Sequence, residues 1–338
     1  MGNKTVIVGA GIIGMYTALQ LAGRGEAKNI TIIGEYLPGD SSIKYTSPWA
    51  GGNFSAISGN DDDTLEFDKV SFFHLRGLFD RFGLEAGLKM LPSTEYWDFL
   101  PEKKKIDSLM SYIPDLCIIP KSDLIPGTVF GVKYTTYNFN CPRFLEFLYR
   151  HLQSQGVTFL RKKLAHISEA WISPCTKTVY NCSGIGARHL PGIEDQKVYP
   201  TRGQIAIVRA PEVQENRMRW GIDYATYIIP RPNSNGNVVL GGFLQKGNWS
   251  SDTYSYERED IFERTAALMP ELKTKIKEVL REAAGLRPSR EGGVRIERED
   301  LSDGRVIIHN YGASGTGYQS GFGMSMRAIN LATNQSKL

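Results

Sequence analysis

The stretch from Lys4 to Gly14, K-T-V-I-V-G-A-G-I-I-G, leaves the chain few ways to begin folding. An apolar run (Val6, Ile7, Val8) delivers directly into Gly9, Gly11 and Gly14 in G-x-G-x-x-G spacing, and a segment of helical period follows from Ile12 to about Leu21. The order is strand, tight turn, helix. Gly9 permits the turn, Gly11 lets backbone approach a pyrophosphate, and Gly14 lets the helix pack close to the strand. The phosphates then fall at the helix N-terminus, where unpaired N–H groups and the helix dipole favour negative charge. A second apolar run, Ile30 to Ile33, leads to Glu35, close to where an acid hydrogen-bonds an adenosine ribose. The segment predicts a dinucleotide site, against the plainer alternative of an ordinary strand-helix-strand turn.

The rest of the chain narrows the class. Its 338 residues suffice for one large or two medium domains. The net charge of +4 is mild and no Lys/Arg run exceeds Arg161 to Lys163, so nucleic acid is not suggested. Cys117, Cys141, Cys175 and Cys182 form no C-x-x-C pair and are expected as free thiols. His74, His151, His166, His189 and His309 lack metal-ligand spacing, so no metal site is proposed. The N-terminal apolar run is too short for a membrane span. The last residues, Ser336-Lys337-Leu338, match a receptor-read peroxisomal address, which makes a peroxisomal import receptor the expected partner.

Further along, Tyr45 to Phe54 (Y-T-S-P-W-A-G-G-N-F) is either a surface turn around Pro48 or a loop lying along a cofactor, with Thr46, Ser47 and Asn53 as hydrogen bonders. Leu65 to Phe82 has helical spacing, and Leu91 to Gly127 reads as an irregular inserted region. A helix starts at Pro142 and stops at Gly156. Thr178 to Cys182 is a strand ending in the small turn Ser183-Gly184, which suits a large dinucleotide and favours FAD over a nucleotide monophosphate. Tyr199 to Arg209, Tyr227 to Pro230 and Val238 to Leu240 alternate with loops and predict a mostly antiparallel sheet. A strand over Val306 to His309 then enters N-Y-G-A-S-G-T-G-Y-Q-S and a helix beginning near Thr316, repeating the logic of the N-terminus. The expected fold class is α/β (α+β overall): a Rossmann-like FAD-binding domain, discontinuous over 1–60, 136–190 and 285–338, and a substrate-binding domain over 61–135 and 191–284.

Taken together, these motifs resemble the FAD-dependent D-amino-acid oxidases, in particular the yeast and fungal peroxisomal kind. The resemblance rests on Gly9 to Gly14, Y-T-S-P-W-A-G-G-N at 45 to 53, N-C-S-G at 181 to 184, Y-P-T-R-G-Q at 199 to 204, Y-I-I-P-R-P at 227 to 232, G-G-F-L-Q-K-G-N-W at 241 to 249, G-L-R-P-S-R at 285 to 290 and H-N-Y-G-A-S-G-T-G-Y-Q at 309 to 319. It also admits D-aspartate oxidase. It implies that Arg287 grips the substrate carboxylate, that the Tyr227 hydroxyl also holds it, that Tyr224 closes over the substrate, and that Gln319 supplies a contact to the amino group. It implies cofactor contacts at Gly9, Ala10, Gly11, Ile12, Ile13, Gly14, Glu35, Tyr36, Thr46, Ser47, Gly51, Gly52, Asn53, Leu164, Ser183, Gly184, Arg287, Ser314, Gly315, Thr316, Gly317, Tyr318 and Gln319.

On residue chemistry alone, Arg287 reads as a loop arginine extended by Pro288, and Gln319 equally as a helix-start hydrogen bonder. Arg290 and Arg295 read as solvated or paired. Tyr224 and Tyr227, three apart, need a bend between them to share a face. The chemistry implied is oxidative deamination of a D-amino acid: hydride passes from Cα to the flavin, the imine hydrolyses to a 2-oxo acid and ammonia, and dioxygen is reduced to hydrogen peroxide. A homodimer is implied as well. The resemblance implies that a D-aspartate oxidase would carry an arginine for the side-chain carboxylate two positions after Gly241-Gly242; this chain has Leu244 there, so neutral D-amino acids are expected over D-aspartate, unless Arg217 or Arg219 serves an acid. Rival readings are an NAD-dependent dehydrogenase and a flavin-binding protein without turnover.

Overall fold

The computed structural model describes residues 4–333, so the Ser336-Lys337-Leu338 tripeptide lies outside the described residues. In chain order the strands and helices are β1 (Lys4–Val8), α1 (Ile12–Gly23), β2 (Ile30–Gly34), α2 (Asp62–Phe82), β3 (Leu88–Trp97), α3 (Lys103–Met110), β4 (Cys117–Ile118), β5 (Phe130–Phe139), α4 (Cys141–Ser154), β6 (Thr158–Arg161), β7 (Thr176–Asn181) and β8 (Val198–Arg209). They continue with β9 (Asn216–Trp220), β10 (Ala225–Pro230), β11 (Asn237–Gly241), β12 (Gln245–Lys246), α5 (Ser255–Leu268), α6 (Leu272–Lys275), β13 (Glu278–Arg290), β14 (Arg295–Asp300), β15 (Val306–Tyr311) and α7 (Gly317–Ala332). No helix among the described residues is long and apolar enough to cross a membrane.

The chain divides into two compact units. One holds the described residues up to Pro48, Leu145–Thr201 and the described residues from Leu286 onward; the other holds Trp49–Phe144 and Arg202–Gly285. The boundaries thus lie at Pro48, Phe144, Thr201 and Gly285, where the sequence reading put them at 60, 135, 190 and 284. Residues 49–60 belong with the second unit because Gly52 and Phe54 are hydrogen-bonded into β5: Phe139 N–H donates to the Gly52 carbonyl at 2.7 Å and Phe54 N–H to the Tyr137 carbonyl at 2.9 Å.

Among the described residues, the first unit carries a six-stranded sheet in the order β14-β15-β7-β1-β2-β6. It is parallel except for β14 at one edge. Parallel strands are covered on both faces, and the sequence shows it: Val6, Ile7, Val8, Ile32, Ile33, Val179, Ile307 and Ile308 are all buried. The carboxyl ends of β1, β7 and β15 therefore sit side by side, the edge from which open α/β sheets bind ligands.

The second unit carries a nine-stranded sheet ordered β12-β8-β11-β10-β9-β3-β5-β4, with β13 pairing β8. Within it β3 and β9 pair in parallel. One face packs Ile228, Val238, Leu240, Ala206 and Val208 against Ile261 and Leu268 of α5 and Leu272 of α6. The opposite face carries Tyr227 and Ile229 beside Met218, as the register Tyr227↔Met218 and the alternation of β10 require.

Two elements differ from the sequence reading. Leu91 to Trp97 is no irregular insertion but the body of β3, a ten-residue strand paired along its whole length with β5. Its alternation is masked because Ser93, Thr94 and Glu95 are buried polar residues. Helix α5 lies in a stretch to which the sequence reading assigned no element; its acidic and basic residues are spread around the helix, and even Glu257 is fully buried, against Arg202 at 2.8 Å.

Candidate active site

The glycine motif forms the turn its spacing predicts. Gly9 has φ +110, and a Cβ there would press into the Cys182 carbonyl and lie 3.3 Å from Ser183 Cα; a Cβ on Gly14 would overlap the Gly9 carbonyl. These two glycines are demanded by packing between β1, β7 and α1. Gly11 differs: it has φ −75, and its Cβ would meet only Ser47 Oγ, at 3.1 Å. The first helical bond of α1 is Met15 N–H to the Gly11 carbonyl (3.0 Å), so the N–H groups of Ile13 and Gly14 precede the helix's internal ladder.

The second glycine-rich loop brings another helix start to the same place. A Cβ on Gly317, the first residue of α7, would lie 3.2 Å from Ile12 Cγ2, and Tyr16 Oη donates to the Tyr318 carbonyl at 3.1 Å. Ser47 joins the two helices: its hydroxyl accepts from Ile12 N–H (3.0 Å) and its carbonyl accepts from Tyr318 Oη (3.0 Å). Tyr45 Oη donates to the Ala10 carbonyl at 2.7 Å, and its ring stacks on Tyr36. Burial holds the Tyr45 hydroxyl far above its ordinary range, so it stays protonated and donates. Two helix N-termini, a serine bridge and a Gly11 backbone without a Cβ are the features of a cradle that could hold the pyrophosphate of a dinucleotide.

The remaining sequence-predicted residues separate into groups. Glu35 follows β2 and is exposed, its carboxylate 3.5 Å from Lys163 Nζ. Leu164 packs under β1 and β2 with Val6, Val8 and Ile33. Ser183 and Gly184 close β7, Gly184 with φ +58. Ser314, also left-handed at φ +49, ties the loop before α7 to β13: its N–H donates to the Pro288 carbonyl (3.0 Å) and its hydroxyl accepts from Ser289 Oγ (2.9 Å). Ser289 Oγ is also 2.7 Å from Thr201 Oγ1, and Thr46 Oγ1 donates to the Leu286 carbonyl. Arg287 thus rides on a backbone pinned on both sides, its Nη1 donating to the Thr201 carbonyl at 3.4 Å. Thr316 caps α7 through its backbone, accepting from Gln319 and Ser320 N–H, and Gln319 is buried. Arg290 and Arg295 are paired, with Asp195 and Glu297 respectively.

Gly51, Gly52 and Asn53 belong to the second unit. A Cβ on Gly51 would lie 2.6 Å from Ile229 Cδ1, and Asn53 Nδ2 reaches Met218 Sδ at 3.7 Å. Tyr227 is buried along the Gly241-Gly242 backbone, where a Cβ on Gly242 would lie 2.5 Å from its hydroxyl. Tyr224 lies just ahead of β10, after a bend at Ile222-Asp223; the bend expected between Tyr224 and Tyr227 is not what forms, since the chain is strand from Ala225 through Pro230. Its ring folds over Gly221, and its hydroxyl donates to Asp98, whose other oxygen accepts from Arg219 Nε at 2.8 Å. Burial first, then the Asp98 bond, raises the Tyr224 pKa and keeps the hydroxyl protonated. Sequence reasoning missed Asp98, which lies 126 residues from Tyr224 with no motif around it.

Arg217 and Arg219 pair in register with Ile228 and Thr226, so both leave the sheet on the face opposite Tyr227. Each is held by a carboxylate, Glu215 and Asp98, at 2.8 Å. Phe243 packs toward the α5-covered core and lies under the Arg264 guanidinium, 5.1 Å from it, whereas Leu244 is exposed. Of that apolar pair, Leu244 alone is displayed.

With this geometry in view, the chain belongs to the FAD dependent oxidoreductase family, matching it from residue 4 to 331. Within that family it is 43% identical to the D-amino-acid oxidase of Schizosaccharomyces pombe, over 98% of this chain and 97% of the relative. It is 32% identical to the D-amino-acid oxidase of Fusarium vanettenii (100% and 98% covered) and 28% identical to the D-aspartate oxidase of Talaromyces thermophilus (100% and 97% covered). The L-proline dehydrogenase structure from P. horikoshii superimposes with a TM-score of 0.77 at 17% identity, covering 100% of this chain and 95% of that one, which is a likeness of fold.

Proposed function

We propose that this chain catalyses the oxidative deamination of D-amino acids, neutral ones ahead of D-aspartate, to 2-oxo acids, ammonia and hydrogen peroxide. The observation that carries the reading is Arg287: an arginine fork on a backbone fixed at Leu286, Pro288 and Ser289, tied through Thr46 and Ser314 to the loops beside the paired helix N-termini. A planar guanidinium so held binds a carboxylate with two parallel hydrogen bonds and fixes which Cα substituent is presented. FAD, when bound, accepts the Cα hydride and passes the electrons to dioxygen. The first unit holds the cofactor through Gly9 to Gly14, Ser47, Ser183-Gly184 and the 314–319 loop. Tyr227 and Tyr224 are read as substrate contacts, and Gly51, Gly52 and Asn53 as cofactor contacts, from the family resemblance. The assembly is read as a homodimer, checked by light scattering. The peroxisome is proposed from Ser336-Lys337-Leu338 and is tested by the distribution of a tagged chain with and without that tripeptide.

A flavin absorbance spectrum with an oxygen-electrode trace on D-alanine tests the activity. No flavin spectrum, or flavin without oxygen uptake, overturns it. The substrate preference rests on Leu244 and on the placement of Arg217 and Arg219 away from Tyr227. A neutral polar group meeting no partner costs about 1 to 3 kcal/mol in a protein setting and a carboxylate more, so kcat/KM for D-alanine is expected to exceed that for D-aspartate by roughly tenfold or more. An inverted ratio would show that an arginine reaches the substrate side chain.

Asp98 offers a second check. Asp98→Asn weakens a charge-assisted bond and frees Tyr224, so KM for D-alanine is expected to fall roughly 3- to 10-fold, equivalent to one hydrogen bond of about 1 kcal/mol. The fall should vanish in a Tyr224→Phe background, and a persistent fall there would detach Tyr224 from the substrate.

A further inference from the structure

A line of hydrogen bonds runs from the surface of the first unit to the turn that closes β7. On β15, His309 is fully buried; Glu297 is its register partner on β14, and Glu299, two residues on and on the same face, has Oε2 3.1 Å from His309 Nε2. Across the sheet the register partner of His309 is Asn181 of β7, whose Nδ2 lies 3.3 Å from His309 Nδ1. Asn181 is also fully buried, and its Oδ1 accepts from the Ser183 hydroxyl at 2.6 Å and the Ser183 N–H at 3.3 Å.

The proton positions follow from what each group can do. The Asn181 amide nitrogen only donates, so His309 Nδ1 accepts, and the ring proton lies on Nε2 and is donated to Glu299. Burial, and after it the Arg295 guanidinium, lowers the His309 pKa, while Glu299 pulls the other way. The neutral ring is the form this line of bonds requires. Each member thus fixes the orientation of the next, and the last is Ser183, whose Cα would lie 3.3 Å from a Cβ on Gly9. The floor beneath the first glycine of the motif is set by Asn181, and Asn181 by His309.

We propose that His309 and Asn181 are positioning residues for FAD: they hold the Ser183-Gly184 turn against the Gly9 turn, with Glu299 selecting the histidine tautomer. The proposal rests on the first unit being the FAD unit. The test is the FAD dissociation constant, from the rise in flavin fluorescence as diluted holoenzyme releases cofactor, with a melting curve of each variant.

Asn181→Leu and His309→Leu should each weaken FAD binding roughly tenfold, because each leaves a buried polar partner unmet. The double variant should be no weaker than Asn181→Leu alone, since both act along one line. His309→Asn keeps an acceptor where Nδ1 stood and should stay within about threefold of the parent. Glu299→Gln changes a partly exposed residue that can be replaced without unfolding the sheet, and should weaken FAD roughly 2- to 5-fold, with no such effect in a His309→Asn background. Additive losses in the double variant, or unchanged affinity in Glu299→Gln, would overturn the proposal. A parent protein that holds no FAD would instead overturn the assignment of the unit.

Discussion

Arg287→Ala is expected to keep its flavin and lose its substrate. The side chain is half-buried, and the backbone around it is fixed by other groups: Thr46 on Leu286, Ser314 on Pro288, and Thr201 and Ser314 on Ser289. Truncation therefore removes the fork and leaves the loops of the cradle in place. Losing one charged partner of a hydrogen-bonded carboxylate costs about 2 to 5 kcal/mol, which is roughly 30- to 5,000-fold in kcat/KM. Arg287→Lys keeps the charge but not the planar pair of donors, so it should recover only part of the loss. Simple aromatic carboxylates such as benzoate report the same contact without chemistry. Their inhibition should weaken in Arg287→Ala by a similar factor, and unchanged inhibition would take the carboxylate away from Arg287.

How much of this could be read beforehand depended on where each residue finds its partners. The first unit was legible because buried parallel strands are written as near-continuous apolar runs, as at Val6 to Val8, Ile30 to Ile33 and Val306 to Ile308, and because the glycine turns need glycine for local reasons. The second unit was less so. Strand β3 hides its alternation behind Glu95, whose carboxylate accepts from Trp220 Nε1 at 2.7 Å and from Tyr134. Those partners lie 125 and 39 residues away. Burial raises the Glu95 pKa and its hydrogen bonds pull it down, a balance no local pattern announces. Arg202 is a similar case: it sits inside Y-P-T-R-G-Q, a stretch that carried the family resemblance, yet nothing around it foretells a fully buried guanidinium bonded to Gln245, Glu257 and the Ser250 carbonyl. In the candidate site, glycines 9, 11 and 14 follow from spacing, Arg287 came from resemblance alone, and Asp98, Asn181 and His309 act through partners that only the folded chain supplies.

Gly11→Leu is expected to give a folded protein without colour. The three glycines of the motif are not equivalent as probes. Gly9 needs a left-handed backbone and has no room beside Cys182, and a Cβ on Gly14 would overlap the Gly9 carbonyl, so substitution at either disturbs the packing of β1, β7 and α1 whatever is bound. Gly11, at φ −75, has a backbone any residue adopts, and the single close neighbour of its Cβ is Ser47 Oγ at 3.1 Å, which a shift of a few tenths of an ångström relieves. A leucine there projects its side chain over the start of α1, where the Ile13 and Gly14 N–H groups are proposed to receive the pyrophosphate. The melting temperature without cofactor should stay within about 4 °C of the parent, the shift of roughly 1 kcal/mol or less. The flavin-to-protein absorbance ratio should fall below about one-tenth of the parent value, a loss of at least about 1.4 kcal/mol in binding. Gly11→Ala, adding only the Cβ, should fall between the two. A Gly11→Leu protein that purifies with stoichiometric flavin would show that the pyrophosphate does not pass over this helix, and the cradle of Gly11, Ser47 and Gly317 would need another occupant.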